Sequence, residues 1–77
     1  MLNLNEFVKK FKDQYRDPDE FEMDAQTEFK TVGSWDSLTG MAILVMIYDD
    51  FKIDFPQEKL KACKTVKDVY DTVIKMI

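Results

Sequence analysis

Eight successive apolar residues, Met41-Ala42-Ile43-Leu44-Val45-Met46-Ile47-Tyr48, form the densest hydrophobic run in a chain of 77 residues. A helix that faces one core needs only a stripe of apolar positions, so a run without polar interruption supplies more than one face. A strand of that length would require partners and tight turns. With only two glycines and two prolines, the chain marks few of them. Helices are therefore favoured over a many-stranded sheet. A chain of this length makes one small domain, residues 1–77, near the lower limit at which a single core folds unaided. Ten aromatic residues give that core large filling groups.

The periodicity divides the chain into three longer helices and one short one, an all-α four-helix bundle with a long connection between the first two helices. From about Asn3 to Arg16, Leu4, Phe7, Val8, Phe11 and Tyr15 recur at three- and four-residue spacing. Asn3 or Asn5 caps this helix, and Asp17-Pro18 ends it, because the residue before proline is pushed out of the α region. The connection from Asp17 to Trp35 carries Phe21, Met23, Phe29, Val32 and Trp35, expected to anchor it over the core. Its acids (Asp17, Asp19, Glu20, Glu22, Asp24) resemble a calcium loop only superficially, since the turn glycine and terminal glutamate are missing.

The second helix is expected from Ser37 to about Phe51, with Asp36 as N-cap. Ile43, Leu44, Ile47 and Phe51 make its core face. Leu38, Met41, Val45 and Tyr48 lie on a different side, to be covered by the long loop or left exposed for a partner. Pro56 is suited to open a short helix over Gln57 to Ala62. Thr65 and Asp68 resemble a capping box, opening a last helix that presents Val66, Val69, Tyr70, Val73, Ile74 and Ile77.

Several function classes drop out on residue types alone. The chain has no histidine, which removes Ser-His-Asp and Cys-His catalysis. One cysteine, Cys63, forms no internal disulfide or thiolate cluster and reads as a small buried hydrophobe. No metal is therefore expected. No Gly-rich loop followed by lysine holds a nucleotide. A net charge of −4 argues against nucleic acid. No apolar stretch is long enough for a signal peptide or a membrane span, so a cytosolic monomer without membrane insertion is expected. Asp17 to Phe29 holds six acids and no base, an asymmetry that would orient the chain toward a basic partner surface or simply keep it soluble.

What survives is Asp36-Ser37-Leu38, a hydroxyl displayed where a loop enters an apolar helix. Taken alone it reads as an ordinary helix cap. Its other reading is a modification point, since a phosphodiester on Ser37 would lie beside the free N–H groups and positive end of the helix. At these residues the chain resembles the acyl carrier proteins, a family that includes peptidyl and aryl carrier domains. The likeness takes in Gly33 and Trp35 before the Asp-Ser-Leu, the apolar helix through Tyr48, Asp49-Asp50-Phe51, Ile53-Asp54-Phe55-Pro56 and Thr65-Val66. The stretch Asp36 to Ile74 aligns with bacterial fatty-acid carriers without a gap.

The resemblance implies a non-catalytic carrier. Ser37 would receive phosphopantetheine from coenzyme A through a phosphopantetheinyl transferase, and Asp36 would help present it. The arm's thiol would hold an acyl or aminoacyl group as a thioester for loading and transferring enzymes. Leu38 and Met41 match family positions that touch partners, and Val45, Tyr48 and Asp49 extend that surface. One departure is visible: fatty-acid carriers line this side with acids, where the chain has Thr39, Ala42 and Tyr48. A specialised fatty-acid, polyketide or related pathway is expected, with cargo sheltered among Ile43, Ile47, Phe55, Leu60 and Cys63. Phe51 and Phe55 suggest that the shelter is small. The alternative is a helical interaction domain that binds a partner helix and carries no prosthetic group.

Overall fold

A computed structural model describes residues 2–77, and structural statements below concern those residues. Four helices follow one another: α1 (Leu4–Asp13), α2 (Ser37–Phe51), α3 (Gln57–Ala62) and α4 (Val66–Met76). Among the described residues there is no strand, only an isolated bridge between Glu28 and Thr65. The architecture is the small all-α bundle that the periodicity predicts.

Local chemistry sets the ends of these helices. At α1, Asn3 and Glu6 form a reciprocal capping box, the Asn3 side chain accepting from the Glu6 N–H at 2.9 Å. The helix ends at Asp13, earlier than the predicted Arg16, and the Gln14 amide turns back to donate to the Lys10 carbonyl. Tyr15 nevertheless stays buried beyond the helix end. Its hydroxyl donates to the Phe29 carbonyl at 2.5 Å, and burial pushes its phenol above the ordinary value. This bond ties α1 to the long connection.

The connection is ordered by two single 3-10 turns, Pro18–Glu20 and Phe29–Thr31. Phe29 is fully buried, and Phe21, Met23, Val32 and Trp35 pack against the core as anchors. The loop also completes the cap of α4. Thr65 and Asp68 form the expected box, while the Val66 and Lys67 N–H groups donate to the carbonyls of Thr27 and Ala25 at 3.2 and 2.9 Å. The first-turn donors that a helix leaves unpaired are thus satisfied by a distant segment.

Helix α1 packs against both α2 and α4. An aromatic chain threads the interior, each ring tilted or edge-on to the next. Phe7 meets Tyr70 at 5.2 Å and Phe51 at 6.0 Å between centroids. Phe11 meets Phe29 at 5.1 Å, and Phe29 meets Trp35 at 5.3 Å. The chain of rings therefore runs from the α4 side of the core to the residue just before Asp36.

Three assignments of core faces need correction. On α2, Leu44 is only half-buried, while Thr39, Gly40 and Met46 are buried beside Ile43 and Ile47. Leu44 sits at the margin of the buried arc. On α4, Val66, Val69 and Val73 face the core, but Ile74 and Ile77 are exposed. Ile74 lies at the edge of that arc, and Ile77 lies beyond the last helical turn, where nothing packs over it. Cys63 is buried as expected, and burial raises its thiol pKa, which keeps it protonated and inert.

Candidate functional site at the start of helix α2

Asp36 adopts an extended conformation and caps α2. One carboxylate oxygen accepts from the Thr39 N–H at 2.9 Å and from the Thr39 hydroxyl at 3.0 Å. The other lies 3.5 Å from the Arg16 guanidinium. The Thr39 hydrogen bonds, assisted by Arg16, hold the Asp36 carboxyl below the ordinary carboxylate value. It is ionised at neutral pH. Sequence reasoning missed Arg16, because the pair joins two segments twenty positions apart and no local pattern announces it.

Ser37 occupies the first position of α2 and is exposed. The only other serine in the chain, Ser34, is 5% exposed, and its hydroxyl is buried without a hydrogen-bond partner. Two hydroxyls three positions apart thus have opposite access to solvent. Trp35 between them is half-buried, its ring closing on Gly40. A Cβ at Gly40 would meet the indole at 3.4 Å, an ordinary van der Waals contact, so the ring packs directly over this turn of the helix.

Beside Ser37 lies a cavity of about 230 Å³ between α2 and α3. Trp35, Gly40, Leu44 and Leu60 make its apolar lining, and Lys30 and Lys61 also border it. The shelter for cargo is expected among Ile43, Ile47, Phe55, Leu60 and Cys63. Ile43 and Ile47 are fully buried in the core, and of these five residues Leu60 borders the cavity beside Ser37.

Leu38, Met41, Val45 and Tyr48 are left bare, 74%, 59%, 59% and 50% exposed. The loop does not cover them. Asp49 is exposed at the far end of the same side, whereas Asp50 is engaged by Lys10 at 3.0 Å. Among the described residues no cluster of His, Cys, Asp or Glu could hold a metal ion, and no helix is long and apolar enough to cross a membrane.

Fold and site together define a small helical scaffold that presents one accessible serine hydroxyl at the entry to an apolar, half-bare helix. A family model described as a phosphopantetheine attachment site matches residues 5–73. The chain belongs to this family, that of the acyl and peptidyl carrier proteins. Its domains carry covalently attached phosphopantetheine, and they engage phosphopantetheinyl transferases and acyl-handling enzymes. Comparisons with curated proteins and with solved structures return no match.

Proposed function

We propose that residues 1–77 act as one carrier domain whose phosphopantetheine arm is attached through the Ser37 hydroxyl. The observation that carries this reading is the contrast between the two serines in a chain of the attachment family: Ser37 is exposed, and Ser34 is buried. A transferase must bring the phosphate of coenzyme A to the hydroxyl, and only an accessible side chain permits that approach. The ionised Asp36 fixes the helix start and holds Ser37 at its first position.

In this reading the domain performs no chemistry of its own. The arm's thiol holds an acyl or aminoacyl thioester, and partner enzymes load and remove it. Leu38, Met41, Val45 and Tyr48 supply the partner surface, with Asp49 at its edge. This bare stripe and the presence of Thr39 and Ala42 instead of acids support docking by apolar contact more than by charge. Such docking fits a carrier with dedicated partners. Raising the salt concentration should weaken partner binding only modestly, and a steep salt dependence measured by titration would count against dedicated apolar docking.

Attachment itself is tested by intact-mass measurement after incubation with coenzyme A and a promiscuous phosphopantetheinyl transferase. The wild-type chain should gain one phosphopantetheine, and Ser37→Ala should gain none. An unmodified wild-type chain, or a modified Ser37→Ala chain, would overturn the assignment.

A further inference from the structure

Just past the end of α1, two neighbouring residues meet the two residues that precede Ser37. The Tyr15 ring lies 6.1 Å from that of Trp35, and the Arg16 guanidinium lies 3.5 Å from the Asp36 carboxylate. Tyr15 is buried and bonded to the Phe29 carbonyl, and the Trp35 N–H donates to the Val32 carbonyl at 2.9 Å. The chain on both sides of the ion pair is therefore anchored, while the Arg16 side chain itself is 73% exposed.

The pairing is selective. Asp17 follows Arg16 in the chain and opens an acidic loop, yet among the described residues the ion pair of Arg16 is with Asp36. Lys30, the only base between Arg16 and Lys52, donates instead to the Lys61 carbonyl at 2.5 Å, bridging the loop to the end of α3. The countercharge of Asp36 thus comes from Arg16. The helix start does not need it. Asp36 accepts from Thr39 through Oδ1, whereas Arg16 meets Oδ2, so the cap uses one oxygen and the ion pair the other. An exposed pair of this kind adds little to stability.

Its effect falls on what approaches the serine, and that is anionic. Attachment brings the diphosphate of coenzyme A to Ser37. The bond from Ser37 Oγ to phosphorus forms, and the bridging P–O bond breaks with its electron pair leaving on the nucleotide half. The hydroxyl proton passes to a base on the transferase. Asp36, ionised and one residue from Ser37, repels each anionic group in this step. A guanidinium on its second oxygen offsets that repulsion without disturbing the cap.

We propose that Arg16 is a positioning residue for loading: it neutralises the second carboxylate oxygen of Asp36, so that the transferase-bound diphosphate of coenzyme A can approach Ser37. The proposal rests on Ser37 as the attachment point. It extends the site to a residue on the far side of the long loop, and it acts on the encounter with the charged donor before any arm is present.

Steady-state transfer from coenzyme A to the unloaded chain by a promiscuous phosphopantetheinyl transferase, followed by intact mass, tests this. Arg16→Gln should raise KM for the carrier about two- to five-fold with kcat nearly unchanged, the size that exposed ion pairs reach. Arg16→Lys should restore most of the loss, and Arg16→Glu should exceed it. Raising the salt concentration should narrow the gap between wild type and Arg16→Gln. In an Asp36→Asn background the Arg16→Gln change should add little, because the charge it offsets is gone. The Arg16 variants should melt within about 4 °C of wild type. Unchanged or faster loading of Arg16→Gln overturns the proposal. So does a loss that lysine does not restore, that persists undiminished beside Asp36→Asn, or that tracks a fall in melting temperature. Each of these outcomes leaves Ser37 in place as the attachment point. A wild-type chain that gains no phosphopantetheine, or gains it elsewhere, overturns the Ser37 assignment and this proposal with it.

Discussion

Ile43 and Ile47 on one side of α2, and Met41 and Val45 on the other, are comparably apolar side chains in one helix. The first pair is fully buried in a helix that packs against α1, whereas the second pair faces solvent. Hydropathy does not separate them, and neighbours do. A bundle of four short helices has only enough surface to cover one side of its most apolar element. The covered side supplies stability, and the bare side is available for contact with another protein. The same helix begins at the exposed Ser37, so the proposed attachment point and the bare stripe are held on one element.

The largest expected effect lies on the covered side. Ile47→Ala removes packed methyl groups with little room for collapse and should cost about 2–5 kcal/mol in denaturant unfolding. A loss as small as that of a surface change would show that the two sides are energetically alike.

The next effect concerns the entry to α2 and depends on pH. The folded-state pKa of Asp36 lies below its ordinary value of 3.8, as does that of Asp68 at the α4 cap. Their ionised forms are favoured by folding, so the stabilisation is complete above that value and is lost as pH falls through the folded pKa values. Replacing both by asparagine keeps a capping oxygen but removes the charge. The variant carrying Asp36→Asn and Asp68→Asn should show a shallower loss of melting temperature between neutral pH and pH about 3. An unchanged acid limb would mean that other carboxylates dominate it.

A smaller, opposite effect is expected where α2 ends. Lys52 takes the left-handed conformation at φ 59°, donating to the Tyr48 carbonyl at 2.8 Å. Lys52→Gly relieves the Cβ and should stabilise the fold by about 0.5–1 kcal/mol, read as a higher unfolding midpoint. The smallest effect belongs to the bare side. Val45→Gln should change stability by less than about 0.5 kcal/mol, while weakening binding to a partner enzyme. A large loss of stability would reveal a structural role for that side.

Much of this was legible in the residues. The Asp36 cap, the Thr65–Asp68 box and the run from Ser37 to Phe51 are local signals, and local chemistry formed them. The stripe of α1 predicted its buried face, although the helix closes at Asp13 while Tyr15 remains inside through its bond to Phe29. What escaped depended on distant neighbours. Exposure of Leu38, Met41, Val45 and Tyr48 follows from what the loop covers, and periodicity left both outcomes open. The Arg16–Asp36 pair, the Lys30 bridge to α3 and the burial of Ser34 arise where separate segments meet. So does the position of the cavity beside Ser37.

In the proposed carrier the accessible serine, and not its buried neighbour, bears the arm. Lys30 and Lys52 bound a tryptic peptide, residues 31–52, that contains both serines. Fragmentation mass spectrometry of this peptide from the loaded protein reads the modified residue directly. Phosphopantetheine is expected on Ser37, with Ser34 unmodified. Modification at Ser34, or at any residue other than Ser37, would contradict it.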